Sequence, residues 1–373
     1  MIYLASYALS VLFAHFAART KRRSNFIVFS IISIAITVAL AGLRDYSIGI
    51  DTQNYLTLER FWAGAIRAES LSAYLGYYLA QGYKEPLFAL IIGVIAQTAG
   101  EFRVFLFVAH AVIITGVYIG AFRMKEYVNP VHVLLLFYLL YYNNSLNIMR
   151  QYIAMAIIFT VFADLEKRKY FRYIFVVLIS MLIHTTAVLA LVPLCIHLFL
   201  YRRQRLKEAP LMRKIIIFMA IVVFSVFFIP LVRWVMDIGI LPSKYNFFFK
   251  NIEYKRMAIT RAVLLALEII GLFLCYKSMK RYHPHADFYV LCTVFFLALQ
   301  QVATFILYGN RVSGYFSFIN IITLCLLGSS QKKAMDRKMW FSLIAAFCLY
   351  YWRYQYVQSL SSETFPYILG AWL

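Results

Sequence analysis

Residues 26–43 read FIVFSIISIAITVALAGL, and residues 44–55 continue with RDYSIGIDTQNY. The first run is predominantly apolar and long enough to cross the hydrocarbon core of a bilayer as a helix. The second run places an arginine, two carboxylates and a glycine within eight residues of the end of that helix. A loop that only connects a membrane helix to the next segment does not require such a group of residues. We therefore interpret residues 44–55 as one wall of a polar site at the outer membrane face.

The composition of the whole chain is typical of a membrane protein. Of its 373 residues, 63% are hydrophobic and 14% are charged, whereas soluble domains have about 25% charged residues. Apolar runs recur along the full length, and backbone groups inside a bilayer have to be paired within helices or closed barrels. The sequence therefore predicts an all-α, polytopic integral membrane protein with a single transmembrane domain over residues 1–373.

Twelve apolar runs qualify as candidate transmembrane helices. They lie at 2–18, 26–43, 102–122, 131–144, 149–164, 171–183, 185–200, 214–236, 258–276, 286–308, 312–328 and 339–354. A further apolar run at 86–99 is short for a membrane span, and its length indicates a re-entrant or short helix.

The basic residues indicate how the chain is oriented. The net charge of +21 comes from lysines and arginines in short loops between the apolar runs, a pattern that sets membrane topology rather than one that binds nucleic acid. With the strongly basic loops in the cytoplasm, residues 44–85 form the larger periplasmic loop and residues 237–257 a second one. The five cysteines lie singly within apolar runs. Because they lack the spacing of metal ligands, no metal site and no cofactor is predicted.

The loop after residue 43 contains the first candidate site residues. Two acids near an arginine can supply a general base that an ion pair holds in place, so Asp45 and Asp51 are candidate bases beside Arg44. Gly49 allows close approach of the backbone. Two alternatives remain open for Arg44: it reaches to lipid headgroups, or it pairs with Asp45 and only holds the loop.

Three further polar positions interrupt apolar runs. Glu85 precedes Pro86, which either marks the start of a helix or adds another acid to the same cavity. Arg150 and Gln151 fall in the first turn of a helix, where a cation opposes the helix dipole but can form an anion pocket with free N–H groups. His184 lies either in a polar turn or in a site where its imidazole handles protons.

Candidate ligands of a polyanion also lie in the C-terminal half. Arg256, Arg261 and Arg311 fall at or near the outer ends of later helices, and Tyr315 follows Arg311 in a glycine-flanked turn. Headgroup contact explains each arginine singly, whereas several on one face favour binding of an anion such as pyrophosphate. The chain has none of the glycine-rich phosphate-binding motifs, so ATP is not an expected energy source.

Four short blocks keep a characteristic order and spacing across residues 40–195. They are GLRD with GID and NY within 42–55, EPLF at 85–88, NIMRQYIA at 147–154 and HTTA at 184–187. Together they resemble the EpsG-like branch of bacterial polysaccharide polymerases, which are functionally of the Wzy type. Leu87 departs from the glycine that is common at its position. The C-terminal half is similar only in topology and in its outer arginines.

The resemblance implies a fold similar to that of GT-C-like polymerases and a metal-independent glycosyltransferase activity at the periplasmic face of the bacterial inner membrane. The donor would be a growing O-antigen or exopolysaccharide chain on undecaprenyl pyrophosphate. The acceptor would be the non-reducing-end sugar of an incoming lipid-linked repeat unit. A chain-length regulator and a flippase are the implied protein partners. The base would be Asp45, Asp51, Glu85 or His184, and the arginines would neutralise the pyrophosphate.

Two other functions have to be weighed against a polymerase. A flippase or other transporter of lipid-linked glycans would also contain charges in the membrane, but these would lie deep within the spans and often accompany a repeat. Here the charges lie at the outer ends and the sequence shows no internal repeat, so an enzyme is favoured. An O-antigen ligase would use the same chemistry with a lipid A core acceptor and would typically have a longer outer loop.

Overall fold

The computed structural model describes residues 1–201, 210–238, 259–302 and 310–370, and these residues are predominantly helical. The α-helices are α1 (Ile2–Arg19), α2 (Arg23–Gly42), α3 (Ile50–Thr57), α4 (Trp62–Arg67), α5 (Leu71–Ala80), α6 (Pro86–Ala99), α7 (Phe102–Arg123), α8 (Pro130–Phe137), α9 (Asn143–Asn147), α10 (Met149–Thr160), α11 (Ala163–Glu166), α12 (Tyr170–Met181), α13 (Leu191–Tyr201), α14 (Leu211–Asp237), α15 (Ile259–Tyr282), α16 (Ala286–Val302), α17 (Asn310–Ser329) and α18 (Ala334–Trp352). π-Helical turns lie at Tyr138–Tyr142 and Arg353–Gln358, and 3₁₀ turns at Thr185–Ala190 and Ser361–Glu363. The prediction of an all-α fold is confirmed for the described part of the chain.

Within the described residues, four helices are long and apolar enough to cross a membrane. They are Ile2–Arg19, Arg23–Gly42, Phe102–Arg123 and Arg311–Ser329. Shorter apolar helices lie at Pro86–Ala99, Tyr170–Met181, Thr185–Tyr201 and Ala286–Gln301. The chain is therefore a membrane protein, whereas the number of twelve spans and the GT-C-like arrangement stay predictions. The second predicted periplasmic loop, 237–257, lies outside the described residues apart from its first two positions.

The run predicted at 131–144 differs in detail from the helices that form, whereas the run predicted at 86–99 forms a helix with the same bounds. The run at 131–144 becomes α8, a π-helical turn and α9, and Ile148 (φ −95°, ψ 54°) then separates α9 from α10. This break follows the asparagine-rich stretch 143–147, whose side chains compete with the backbone for hydrogen bonds. The run predicted to form a short helix at 86–99 is α6, which begins at Pro86 and ends at the left-handed Gly100 (φ 68°).

The chain divides into two compact units, Met1–Val188 with Ser342–Leu373 and Leu189–Phe341. In the first unit α1 packs on α2, and α7 packs on both α2 and α10. Gly116 permits the close approach of α7 to α10, because a Cβ atom there would lie 2.7 Å from the carbonyl oxygen of Ala156. Small residues serve the same purpose in membrane helix pairs generally. The prediction of a single transmembrane domain stays a prediction.

The C-terminal segment, defined here as residues 359–370, lies across the loop that follows α2. Arg44 forms an antiparallel bridge with Leu369. The Gly49 N–H donates to the carbonyl of Glu363 over 3.1 Å. The Asn143 side-chain amide donates to Thr364 Oγ1 over 3.0 Å. These bonds satisfy polar groups of the loop and of the α9 region that would otherwise be left unpaired.

The second unit has its own polar contacts. α16 packs on α17, and the Thr293 hydroxyl donates to Thr323 Oγ1 between them over 2.8 Å. The ring of His197 in α13 stacks on that of His285, with 5.1 Å between the ring centroids. The interior of this unit therefore contains polar contacts among mostly apolar side chains, and hydroxyl contacts of this kind commonly join membrane helices.

Candidate functional site

Glu85 is the centre of a polar cluster in the first unit. Its Oε2 atom forms an ion pair with the Arg150 guanidinium. Its Oε1 atom accepts hydrogen bonds from His184 Nδ1 over 3.0 Å and from the backbone N–H of Thr185 over 3.1 Å. The structure thus brings together three residues that the sequence singled out, although 65 residues separate Glu85 from Arg150 and 99 separate it from His184. We call Glu85, Arg150 and His184 the polar cluster.

Three breaks between helices position the polar cluster. Glu85 is the N-cap of α6, and the backbone N–H of Leu87 in the first turn donates to the carbonyl of Leu182 over 3.0 Å. That bond ties the start of α6 to the end of α12, so Glu85 meets His184 in the turn that follows. Arg150 lies in the first turn of α10, directly after the break at Ile148. Its backbone N–H donates to the Tyr55 hydroxyl over 3.4 Å, which links α10 to α3.

The contacts of Glu85 keep its carboxyl group ionised. Burial by itself would raise the pKa of Glu85, but the His184 hydrogen bond, the Arg150 charge and the Thr185 amide together hold the pKa below its ordinary value of 4.5. The side chains of Glu85, Arg150 and His184 are 11%, 21% and 12% exposed. They are therefore largely shielded from water but still reachable by a ligand.

Aromatic side chains of the loop 44–85 and of α6 contact the arginine of the cluster. The Arg150 guanidinium carbon lies 5.4 Å from the ring centroid of Phe61 and 5.6 Å from that of Phe88. Arg60 lies over the same Phe61 ring at 4.9 Å and over Tyr83 at 5.6 Å. Contact with an aromatic face holds a guanidinium in place and leaves its N–H groups pointing outward in the plane.

Two residues close to the polar cluster, Tyr78 and Arg60, were not predicted as site residues. Tyr78 is buried in α5, and burial together with the Glu85 charge raises its pKa to about 12, against the opposite influence of Arg150 and Arg60. Arg60 lies in a polar loop between α3 and α4 without a recognisable motif. The adjacent Arg60-Phe61 pair in the loop was the available signal, because an arginine beside an aromatic residue commonly stacks on it.

Arg44 lies in the protein interior. The residue is fully buried, and its guanidinium donates to the carbonyl oxygens of Ala41 over 3.0 Å and Leu146 over 2.8 Å. Burial lowers the pKa of Arg44 to about 10. These contacts give Arg44 a structural role between α2 and α9. Its predicted part in pyrophosphate binding stays a prediction.

The two aspartates of the same loop have different surroundings from Glu85. Asp45 accepts hydrogen bonds from the Ser47 hydroxyl over 2.7 Å and the Ser47 N–H over 2.9 Å, which lower its pKa. Asp51 lies in the first turn of α3, and its N–H donates to Asn147 Oδ1. Gln151 is buried beside Arg150 in α10. The roles predicted for these residues are not tested by this geometry.

The predicted anion ligands of the C-terminal half belong to the second unit. Arg311 is half-buried in the first turn of α17, and Tyr315 is buried in the same helix. Arg261 lies in the first turn of α15, but its side chain is outside the described part. Arg256 lies in the stretch 239–258, which is also outside it. Their part in ligand binding stays a prediction.

Among the residues that the structure describes, no group of three or more histidines, cysteines or acids is arranged to hold a metal ion. Within the polar cluster, Arg150 pairs with one carboxylate oxygen of Glu85 and His184 with the other. This arrangement of a carboxylate, an imidazole and a guanidinium is suited to proton transfer and to binding an anion.

Comparison with known proteins places the chain in a family. The model of the EpsG family matches residues 27–369. That range includes all three members of the polar cluster, the whole of the second unit and the first unit from α2 onward, without α1. No curated protein and no solved structure matches the chain.

Proposed function

Because this chain belongs to the EpsG family, which is associated with glycosyltransferase-like polymerases, we propose that it polymerises lipid-linked oligosaccharide repeat units. The growing glycan is transferred from undecaprenyl pyrophosphate to the non-reducing-end sugar of an incoming lipid-linked repeat unit. The reaction takes place at the periplasmic face of the bacterial inner membrane. Both substrates carry lipid tails, which an integral membrane protein can accept directly from the bilayer.

The observation that supports this proposal best is the contact of Glu85 with both Arg150 and His184. The reaction breaks the bond between the anomeric carbon of the donor and its pyrophosphate oxygen, which leaves with the electron pair. A new bond forms between the anomeric carbon and the acceptor hydroxyl oxygen, whose proton passes to a base. The site therefore needs a base and a cation close together, and the polar cluster has both.

We assign the role of base to His184. An ionised carboxylate accepts from Nδ1, so Nδ1 carries a proton and Nε2 is the nitrogen that takes up the proton of the acceptor hydroxyl. Glu85 orients the imidazole and stabilises the imidazolium that forms, as a carboxylate does in other histidine dyads. Asp45 is a weaker candidate, because the two hydrogen bonds from Ser47 lower its pKa and hence its basicity.

Arg150 supports the departure of the pyrophosphate. Its Nη1 atom is paired with Glu85 and the side chain is partly exposed, so the guanidinium can donate to the donor's phosphate oxygens while the ion pair holds it in place. Stabilisation of the negative charge that develops on the leaving group needs such a preorganised donor. No nucleotide enters the reaction, because the energy is that of the pyrophosphate ester.

The experiment that tests this proposal is reconstitution of the purified full chain in liposomes with a lipid-linked repeat unit and no ATP. A ladder of longer glycans is expected. Movement of the lipid-linked unit across the bilayer without elongation would show a transporter. Elongation that begins only after a lipid A core acceptor is added would show a ligase, and both results would overturn the proposal.

A further inference from the structure

Arg60 is a second arginine at the polar cluster, and its contacts differ from those of Arg150. Its guanidinium carbon lies 4.9 Å from the ring centroid of Phe61 and 5.6 Å from that of Tyr83. The side chain is half-buried, and its Nε atom is buried without a hydrogen-bond partner among the described residues. The backbone is held as well, because the Tyr74 hydroxyl donates to the Arg60 carbonyl over 2.9 Å.

Arg60 and Arg150 contact the same aromatic ring. Both guanidiniums contact the ring of Phe61, Arg60 at 4.9 Å and Arg150 at 5.4 Å. Tyr78 lies within the electrostatic influence of Arg60, Arg150 and Glu85 at once. A ligand that reaches one guanidinium is therefore close to the other.

The charges of these groups do not balance. Glu85 forms an ion pair with Arg150, which cancels one of the two guanidinium charges. Within the described part of the chain Arg60 takes part in no ion pair, and the neighbouring acid Glu59 is paired with Arg67 instead. An excess positive charge thus remains beside Phe61, where water is partly excluded and attraction to an anion is stronger than in bulk solvent.

The geometry of Arg60 selects the kind of anion. The guanidinium carbon lies within 5.6 Å of the centroids of two aromatic rings, which help to hold it in place, and the planar fork of N–H donors of an arginine can bind two phosphate oxygens at once. A stacked arginine also loses little side-chain freedom when it binds. A surface arginine that contacts lipid headgroups needs neither the two rings nor the proximity to Glu85.

We propose that Arg60 binds the diphosphate of the lipid-linked glycan, with Arg150 on its other side. This inference rests on the proposed polymerase function and adds to it a separate role for each of the two arginines. Arg150 is held by Glu85 and acts next to the bond that breaks. Arg60 supplies the positive charge that no acid balances, and this charge attracts the dianionic diphosphate. A phospholipid headgroup also carries a phosphate ester, so it is the other ligand whose binding to Arg60 has to be tested.

The test uses the detergent-solubilised full chain and its variants Arg60→Gln and Arg60→Lys, with Arg67→Gln as the matched control. Arg67 lies in the same loop, but it is exposed and paired with Glu59. Binding of inorganic pyrophosphate is measured by calorimetry, and binding to nanodiscs with undecaprenyl pyrophosphate or with phosphatidylglycerol is measured separately. Thermal melting of each variant verifies that it is folded.

We expect Arg60→Gln to weaken binding of pyrophosphate and of undecaprenyl pyrophosphate about 10-fold or more, because one charge-assisted contact is lost. Arg60→Lys should recover part of the affinity, since it keeps the charge but not the planar fork. Arg67→Gln should bind as the unchanged chain does. Wild-type pyrophosphate affinity in Arg60→Gln would overturn the inference, and so would a loss confined to phosphatidylglycerol.

Polymer formation by the unchanged chain and the KM of Arg60→Gln test the two proposals separately. If the unchanged chain makes no polymer, the polymerase proposal fails whatever the binding results. If the unchanged chain makes polymer and Arg60→Gln retains its KM for the lipid-linked donor, the polymerase proposal stands and the role of Arg60 is wrong.

Discussion

Glu85 and His184 are joined by a 3.0 Å hydrogen bond between Oε1 and Nδ1, at the place where the start of α6 meets the end of α12. Neither helix alone holds this pair. The bond from the Leu87 N–H to the Leu182 carbonyl aligns the two helix ends, and the Thr185 N–H completes the environment of the carboxylate. The imidazole therefore has its orientation before any substrate arrives.

Replacement of Glu85 by glutamine should lower the rate of polymer elongation about 100-fold or more, because general base catalysis loses its orienting carboxylate. The substitution keeps the shape of the side chain but leaves the Arg150 charge without its partner. Elongation rates in liposomes provide the measurement. Glu59→Gln is the matched control, since Glu59 is an exposed acid paired with Arg67 and exposed pairs stabilise by at most about 1 kcal/mol. Equal rates for both variants would contradict the role of Glu85.

Replacement of His184 by asparagine should lower kcat about 100-fold or more and change KM for the donor little, because the base acts in the transition state. The loss should also remove the limb of the pH–rate profile that reports the base. Rates measured from pH 5 to 9 with the lipid-linked repeat unit give both quantities. A variant that keeps the full profile would place the base elsewhere, with Asp51 as the next candidate.

Acid should destabilise the first unit through Glu85. Its pKa in the folded chain lies below the ordinary value of 4.5, so its ionised form stabilises the fold above that pH. This contribution is lost as the pH falls through the lower pKa of the folded state. Thermal melting of the solubilised chain between pH 5 and 3 should show a fall in Tm that is smaller in Glu85→Gln. If Tm falls equally with pH in the unchanged chain and in Glu85→Gln, Glu85 is not the source of the destabilisation by acid.

Replacement of Arg44 by glutamine should reduce stability rather than ligand affinity. The guanidinium is fully buried and donates to the carbonyls of Ala41 and Leu146, and loss of hydrogen bonds to a charged group destabilises by about 2 kcal/mol or more. Thermal melting and pyrophosphate calorimetry separate the two effects. If the variant melts like the unchanged chain but binds pyrophosphate more weakly, Arg44 is a ligand after all.

Replacement of Gly116 by alanine should destabilise the packing of α7 on α10 by about 1–3 kcal/mol. The new Cβ would lie 2.7 Å from the Ala156 carbonyl oxygen, and α10 carries Arg150. Gly76→Ala in α5 is the matched control, because its Cβ would meet no atom within 4 Å and alanine favours a helix. The melting temperature should fall in the first variant and hold or rise in the second.

The sequence was most informative where polar residues interrupt apolar runs. Glu85, Arg150 and His184 stand out because a membrane protein has few reasons to place charge at such breaks. The α6 helix could be predicted with its bounds, since Pro86 and Gly100 are strong start and stop signals. These signals are local, so they can be recognised in the sequence without knowledge of the tertiary structure.

Other features depend on contacts that local signals do not encode. Arg44 looks like a site residue in the sequence, but its burial between Ala41 and Leu146 is a matter of tertiary packing. Arg60 has no signal in the sequence apart from the adjacent Phe61, and only the tertiary structure brings Arg150 to the same ring. The division of the run 131–144 by a π-helical turn was likewise hidden by its uniform hydrophobicity.

The C-terminal segment has a consequence for the order in which the molecule is made. A ribosome delivers the loop after α2 to the membrane about three hundred residues before it delivers Glu363, Thr364 and Leu369. Until those residues arrive, the N–H of Gly49 and the side-chain amide of Asn143 lack the partners that they have in the finished chain. The nascent protein therefore inserts its first helices while this loop still lacks these bonds, and the loop is completed only after the C-terminal segment has been synthesised.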